Sequence, residues 1–367
     1  MSKRPRSNAW TRLFQRSAKA IGRSAVKASS RAWAQALKSA STAATATATK
    51  AASASKAAAK AASTATPRPP ARLAGSGTSG LALGPGGARR FKLFRPVGIA
   101  RGERLPLMVM LHGCGQDANS FAASTRMNSV AQRERFLVLY PEQDRLANAQ
   151  GCWNWFNTDN GRAFAEVALI INAIDQACLL HPVDRARVVI AGLSAGASMA
   201  ALVAARHPGR FKAVVMHSGV APGSAHSALS ALGAMRGRRR PPTLAVARVA
   251  PAEPWPPLLV IQGDADGVVA PRNGLAAAQV WAQAAGAVAG PPRRVQRGQR
   301  YPTQVTDFKH SGRSRVTLVE VQGLAHAWSG GAASQAFSDG LGPDASRMAW
   351  AFAARQLRLG ERRLQKK

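Results

Sequence analysis

The sequence predicts an α/β fold, a mostly parallel central sheet with helices on both faces, preceded by a disordered basic N-terminal arm. Three observations carry that expectation. From Phe91 onward, short aliphatic or β-branched runs alternate with longer helical segments, the pattern of strands buried on both faces. Each run ends in a Gly-rich or polar turn. The charge is also uneven: the first acidic residue is Glu103, and residues 1–102 hold 20 of the 51 Lys and Arg behind the net charge of +34.

Residues 1–88 read as that arm followed by a Gly/Pro linker. Asn8–Leu37 carries Trp10, Leu13, Phe14, Ile21, Trp33 and Leu37 on a basic background, enough for one transient amphipathic helix. Ser39–Thr66 is Ala-, Ser-, Thr- and Lys-rich and too poor in large apolar residues to build a core. "TPRPPARLAGSGTSGLALGPGGA" closes the arm as the linker. The uncompensated charge of residues 1–72 suits contact with a polyanion: nucleic acid, an anionic polymer or a lipid surface. A solvated segment whose charge aids solubility is the competing reading. No apolar segment of about 7–15 residues follows the basic start, so no secretory signal is readable. Nor does any stretch reach the roughly 18 apolar residues of a membrane span. The three cysteines, Cys114, Cys152 and Cys178, lack CxxC or paired-His spacing and so form no zinc set. They allow one bridge and leave one thiol.

The folded domain is expected over 89–360, with 361–367 as a basic tail. Its strands are "LPLMVMLHG" (Leu105–Gly113), "FLVLYPE" (Phe136–Glu142), "ARVVIAG" (Ala186–Gly192), "KAVVMHSG" (Lys212–Gly219), "PLLVIQGD" (Pro257–Asp264) and "RVTLVEVQG" (Arg315–Gly323). Helices are expected at Ala163–Leu180 and Ala197–Arg206. Ala225–Pro257, rich in Pro and Arg, breaks the rhythm and reads as an irregular insertion over the sheet.

In such a sheet, active residues gather at the carboxyl ends of strands. Gly192-Leu193-Ser194-Ala195-Gly196 has the G-x-S-x-G form, directly after a strand and before a small-residue helix. That context presents the serine hydroxyl at a helix N-terminus. A serine is a poor nucleophile at neutral pH and needs a base oriented by an acid, in the chain order Ser, acid, His. Of seven histidines, only His310 and His326 follow the candidate acids. His310 precedes the last strand and should lie at the wrong edge of the sheet. His326, in "QGLAHAWSGG", leaves that strand's carboxyl end and is assigned as the base. His181 and His207 each precede a proline at a helix end, and His217 reads as a packed histidine. "VIQGDADGVV" supplies Asp264 and Asp266 as candidate acids, which spacing barely separates. Asp307 and Glu253 lack a preceding strand, and Glu320 sits inside one. Two backbone N–H groups must face the developing oxyanion. Ala195 supplies one, and Gly113 or Cys114 in "LHGCGQ" the other. Acyl transfer of this kind needs no metal or organic cofactor.

With these blocks in order, the sequence resembles the poly(3-hydroxybutyrate) depolymerase-type esterase family of α/β hydrolases. The likeness covers about Phe91 to Leu359 and rests on "LMVMLHGCGQDANSFAASTRMN", "FLVLYPEQ", "CWNWF", "VVIAGLSAGASMAA", "MHSG", "QGDADGVV" and "GLAHAWSGG...GPDASR". It implies an α/β-hydrolase fold and a Ser194–Asp266–His326 triad, because the family's G-x-x-D-x-x-V pattern falls on Gly263, Asp266 and Val269. It places the second oxyanion donor on Cys114. It also implies that Cys114 and Cys152 can pair, and that Trp155 and Trp328 contact the acyl part of the substrate. The implied substrate is poly- or oligo(3-hydroxybutyrate) or a related polyester. No polymer-binding domain follows the match in this sequence, which sets against that reading the family's other activity, cleavage of feruloyl or acetyl esters on polysaccharides. A third expectation, of another class, is a granule- or nucleic-acid-binding protein acting through the arm. The resemblance points to export. The unreadable signal points instead to the cytoplasm or a granule surface.

Overall fold

The computed structural model describes residues 75–239 and 254–364. The arm proposed at 1–72 and most of the Arg- and Pro-rich insertion therefore lie outside the described residues. The strands of the main sheet in chain order are β1 (Gly75–Gly84), β2 (Gly87–Pro96), β3 (Leu105–Leu111), β4 (Leu137–Pro141), β5 (Val183–Leu193), β6 (Ala213–His217), β7 (Leu258–Gly263), β8 (Val288–Ala289), β9 (Arg293–Val295), β10 (Thr303–His310) and β11 (Arg313–Val321); Trp328–Ser329 and Ser338–Asp339 pair separately. They build one sheet in the order β1-β2-β4-β3-β5-β6-β7-β11-β10-β8, with β9 also on β10. The six strands from β4 to β11 are mutually parallel. Antiparallel strands finish both edges.

Strand alternation divides the interior into two cores. In β3, Leu107, Val109 and Leu111 face one core, whereas Met108 and Met110 face the other. The first core is closed by α3 (Arg162–Leu180), α4 (Ala195–Arg206) and α6 (Arg272–Ala284). The second is closed by α1 (Ala118–Thr125), α2 (Met127–Glu134) and α7 (Ala345–Leu364). Fully apolar strands bury both faces, which is why their sequence reads as continuous aliphatic runs. In α4, every residue from Ala195 to Ala205 is buried. Alanines dominate there because short side chains let the helix lie close against β5 and β6.

Three expectations are corrected. Residues 75–88 are not linker: β1 and β2 form an antiparallel hairpin at the sheet edge. The glycines are needed for close approach, since a Cβ at Gly75 or Gly80 would collide with the ring of Phe94 or Phe91. The insertion contains a helix, α5 (Ala228–Met235), opened by a Ser227–Ser230 capping box. The C-terminal helix runs to Leu364, so 361–364 is not a separate tail. The expectation of no membrane span stands beside one helix: α3 has the length and apolar composition to cross a membrane, with a mean hydropathy of 1.6, but it is half buried in the fold. Its apolar side packs on β1, β2 and β5, as expected of a core helix.

Candidate active site

Ser194 sits between β5 and α4 with φ 57° and ψ −121°, a left-handed backbone that a non-glycine residue adopts only under constraint. The flanking glycines supply that constraint. A Cβ on Gly196 would run into the Leu111 and His112 carbonyls, and one on Gly192 into the backbone of Gly196. Strand, turn and helix therefore close up tightly, and the serine is pushed out at the crest. Its amide donates to the His217 carbonyl at 2.9 Å.

The candidate acid and base come from the loops after β7 and β11. His326 Nδ1 lies 2.8 Å from Asp266 Oδ2, with both residues buried. Asp266 Oδ1 accepts from the Val268 and Val269 amides at 2.9 and 2.8 Å, and Gln262 Nε2 donates to Oδ2 at 3.2 Å. Burial alone would raise the Asp266 pKa. The His326 ring and the two backbone N–H groups outweigh it and hold the carboxyl below the ordinary 3.8. The acid is thus an anion at neutral pH, aimed at one ring nitrogen.

Asp264, two residues earlier, turns elsewhere. Its Oδ1 accepts from the Gly323 amide at 2.7 Å, and its own amide donates to the Val321 carbonyl. It ties the β7 loop to the end of β11 and does not touch His326. His310 lies at the β10–β11 hairpin, remote from β11's carboxyl end, with Nδ1 2.8 Å from the Gly286 carbonyl. Asp307 lies within β10 and accepts from Thr317 and Arg293.

The loop after β3 lies against Ser194: a Cβ on Gly113 would stand 3.6 Å from Ser194 Cβ. Here the structure separates two candidate donors. The Gly113 amide already donates to Gln116 Oε1 at 3.0 Å. Among the described residues, no acceptor is found for the amides of Cys114 or Ala195, which leaves both available as candidate donors. Cys114 is disulfide-bonded to Cys152, and Cys178 is a buried free thiol. Among the described residues, no hydrogen bond joins Ser194 Oγ to His326. In unliganded sites such contacts commonly tighten only with substrate.

Three features escaped the sequence reading. His112 is fully buried: its Nε2 accepts from the Gln143 amide and its carbonyl from Trp153 Nε1, fastening the oxyanion loop to the loops after β4. Glu166 on α3 is also buried, accepting from Gln143, from both nitrogens of Asn154 and, at 3.5 Å, from Arg89. It holds "CWNWF" from below. The third is His217, treated below. The signal for all three was a polar residue next to an apolar strand or on an apolar helix face.

The tryptophans part company. Trp328 is 0% exposed, lies against Phe121 and His217, and donates from Nε1 to Ser346 Oγ at 3.1 Å. It offers no surface to an acyl group, so the expected substrate contact is corrected to a packing role. Trp155 keeps 4% exposure, comparable with the 6% of Ser194 and of His326.

A mostly parallel sheet, a serine on a strand–helix elbow and a His–Asp pair on later loops make up an α/β hydrolase. Within that class the chain belongs to the esterase PHB depolymerase family, whose pattern it matches over residues 90–295. It is 36% identical over 121 residues to poly(3-hydroxyalkanoate) depolymerase C of Paucimonas lemoignei, covering 33% of this chain and 29% of that protein. It is 33% identical over 132 residues to feruloyl esterase B of Thermothelomyces thermophilus, covering 34% and 43%. The chain thus spans under half the length of these curated relatives. The acetyl xylan esterase of Aspergillus awamori shares the fold, with a TM-score of 0.59 at 19% identity over 69% of this chain and 94% of that one.

Proposed function

We propose that the chain is a serine esterase acting by a two-step acyl-enzyme mechanism on poly- or oligo(3-hydroxybutyrate) or a related polyester. The observation that carries it is the buried 2.8 Å His326–Asp266 pair on loops converging on the Ser194 elbow. Ser194 Oγ attacks the ester carbonyl while His326 takes its proton, and Asp266 keeps the ring in the tautomer that accepts at Nε2. The carbonyl oxygen gains negative charge between the Cys114 and Ala195 amides. Preorganised donors in a dry pocket stabilise that charge by several kcal/mol. His326 then protonates the leaving alkoxide, and water repeats the sequence to release the acid. We take 75–364 as the catalytic unit, with Trp155 beside the acyl group. Polyanion contact through 1–72 is a separate proposal.

Kinship with feruloyl esterase B supports a second reading, a carbohydrate esterase acting on feruloyl or acetyl esters. A panel of short hydroxybutyrate oligomers, feruloyl esters and acetylated xylan separates the two by kcat/KM. In either case Ser194→Ala should lower turnover at least about 10³-fold while the circular dichroism spectrum stays unchanged. Near-normal turnover in that variant would remove Ser194 as nucleophile.

A further inference from the structure

His217 ends β6, next in the sheet to β5 and the elbow. Its backbone carbonyl accepts the Ser194 amide proton at 2.9 Å. Its ring reaches in the other direction. Nε2 lies 3.1 Å from the Ser329 amide nitrogen, Nδ1 lies 3.1 Å from Ser218 Oγ, and the ring stacks on Trp328 at 5.1 Å. A backbone N–H can only donate, so Nε2 must be the unprotonated nitrogen and Nδ1 must carry the proton, given to Ser218. A doubly protonated ring would face one N–H with another. The ring is therefore required neutral and in one tautomer.

Ser329 is three residues beyond His326, in the short strand Trp328–Ser329 that follows the His326 turn and pairs with Ser338–Asp339. One residue thus holds the nucleophile by its backbone and the loop of the catalytic base by its side chain. Packing alone does not require this arrangement: an aromatic hydrocarbon at 217 would fill the same space and stack on Trp328 equally well. It would leave the Ser329 amide unpaired in the interior.

We propose that His217 is a positioning residue of the esterase reaction, its neutral Nδ1-protonated ring fastening the Ser329 amide and so setting the His326 loop against the Ser194 elbow. The proposal rests on the esterase reading. Neutrality serves the same end. When His326 becomes an imidazolium during proton transfer, its neighbour adds no second positive charge.

The test compares His217→Phe, which keeps the stacking and loses the acceptor, with His217→Gln, whose side-chain carbonyl can accept from Ser329. For each, kcat and KM on a short soluble ester are measured together with hydrogen exchange of the Ser329 amide. The Phe variant should lose about 10- to 100-fold in kcat, the scale of a roughly 1 Å misplacement. Its KM should stay within about twofold, and its Ser329 amide should exchange faster. The Gln variant should recover both readouts. Should His217→Phe fail to fold, Ser218→Ala removes the acceptor of the Nδ1 proton and should lower kcat in the same direction. Wild-type kcat with unchanged Ser329 protection in His217→Phe, or wild-type kcat in Ser218→Ala where the Phe variant does not fold, would overturn the proposal. So would a loss that His217→Gln does not restore. If the wild-type protein hydrolyses no ester, the esterase reading falls on its own. Ser329 exchange would still decide whether His217 fastens the loop.

Discussion

At the scale of single residues, the two aspartates after β7 show how geometry separates groups that spacing leaves together. Asp266 faces the His326 ring and Asp264 faces the Gly323 amide. Asp266→Asn should therefore cut kcat by about three to four orders of magnitude, since an amide favours the wrong His326 tautomer. Asp264→Asn keeps a side-chain oxygen for Gly323 and should cost less than about tenfold. Steady-state kinetics on one soluble ester rank them, and the reverse order would move the acid to Asp264. His217 yields a second prediction, about pH. Burial first, and then the nearby His326, push its pKa from 6.5 down to about 3, with Asp266 pulling weakly the other way. The unfolded chain thus binds a proton that the folded chain refuses between those values. Stability is fully present above about pH 6.5 and declines as the pH falls towards 3. His112, His181 and His207 are shifted in the same direction by burial, so the wild-type slope holds their contributions as well. His217→Gln should flatten the stability–pH curve measured by urea unfolding between pH 6 and 4. An unaltered slope would mean the ring protonates in the folded state.

Among the elements, what the sequence made legible follows from burial. The six parallel strands were readable because their central residues are apolar on both faces, α3 because its apolar residues recur at helical spacing, and α4 because its small and aliphatic residues run almost unbroken. β1 was not, because "GSGTSGLALG" carries the composition of a linker. Its glycines make room for Phe91 and Phe94, a reason that exists only once the partner strand is in place. β10 was missed because "TQVTDFKH" has one half-exposed face and few aliphatics. The elbow was legible from G-x-S-x-G after a strand. Spacing left Gly113 and Cys114 together as oxyanion donors and only the family resemblance favoured Cys114; that the Gly113 amide is taken up by Gln116 depends on a side-chain position no spacing shows. The Cys114–Cys152 bridge joins the oxyanion loop to "CWNWF" across 38 residues, a loop closure of about 3–4 kcal/mol in chain entropy. Replacing both cysteines by Ala should lower stability by up to that amount. It should also reduce kcat more than KM, because the amide at 114 must stay aimed at an oxyanion present only in the transition state. Thermal melts and kinetics on the double variant check this. Unchanged kcat with lowered Tm would make the bridge a stabilising link alone.

For the whole molecule, the division between arm and fold sets where the chain can be shortened. A break at about residue 86 would follow from reading 1–88 as arm and linker, but it would remove β1. That strand pairs with β2 along its full length, from Gly75 opposite Pro96 to Gly84 opposite Gly87. Its loss would uncover the rings of Phe91 and Phe94 and leave β2 as an open edge, which invites association between copies. Uncovering aromatic surface on that scale costs about 3 kcal/mol, or about 6–12 °C in Tm for a domain of this size. A chain beginning at Gly75 should therefore match the full-length protein in Tm and in kcat/KM on small esters, because the site is built from loops after β3, β5, β7 and β11. A chain beginning at Gly86 should melt lower and tend to aggregate. The Gly75 chain also isolates the proposed polyanion contact, since it lacks the basic segment at 1–72 and keeps the catalytic unit. If that contact exists, full-length protein should bind immobilised DNA or anionic vesicles at low salt and release steeply as salt rises, as counterion release requires. The Gly75 chain should bind far less. Equal retention of both would remove the partner role of residues 1–72, and a fall in small-ester turnover on starting at Gly75 would show that the segment belongs to the catalytic unit.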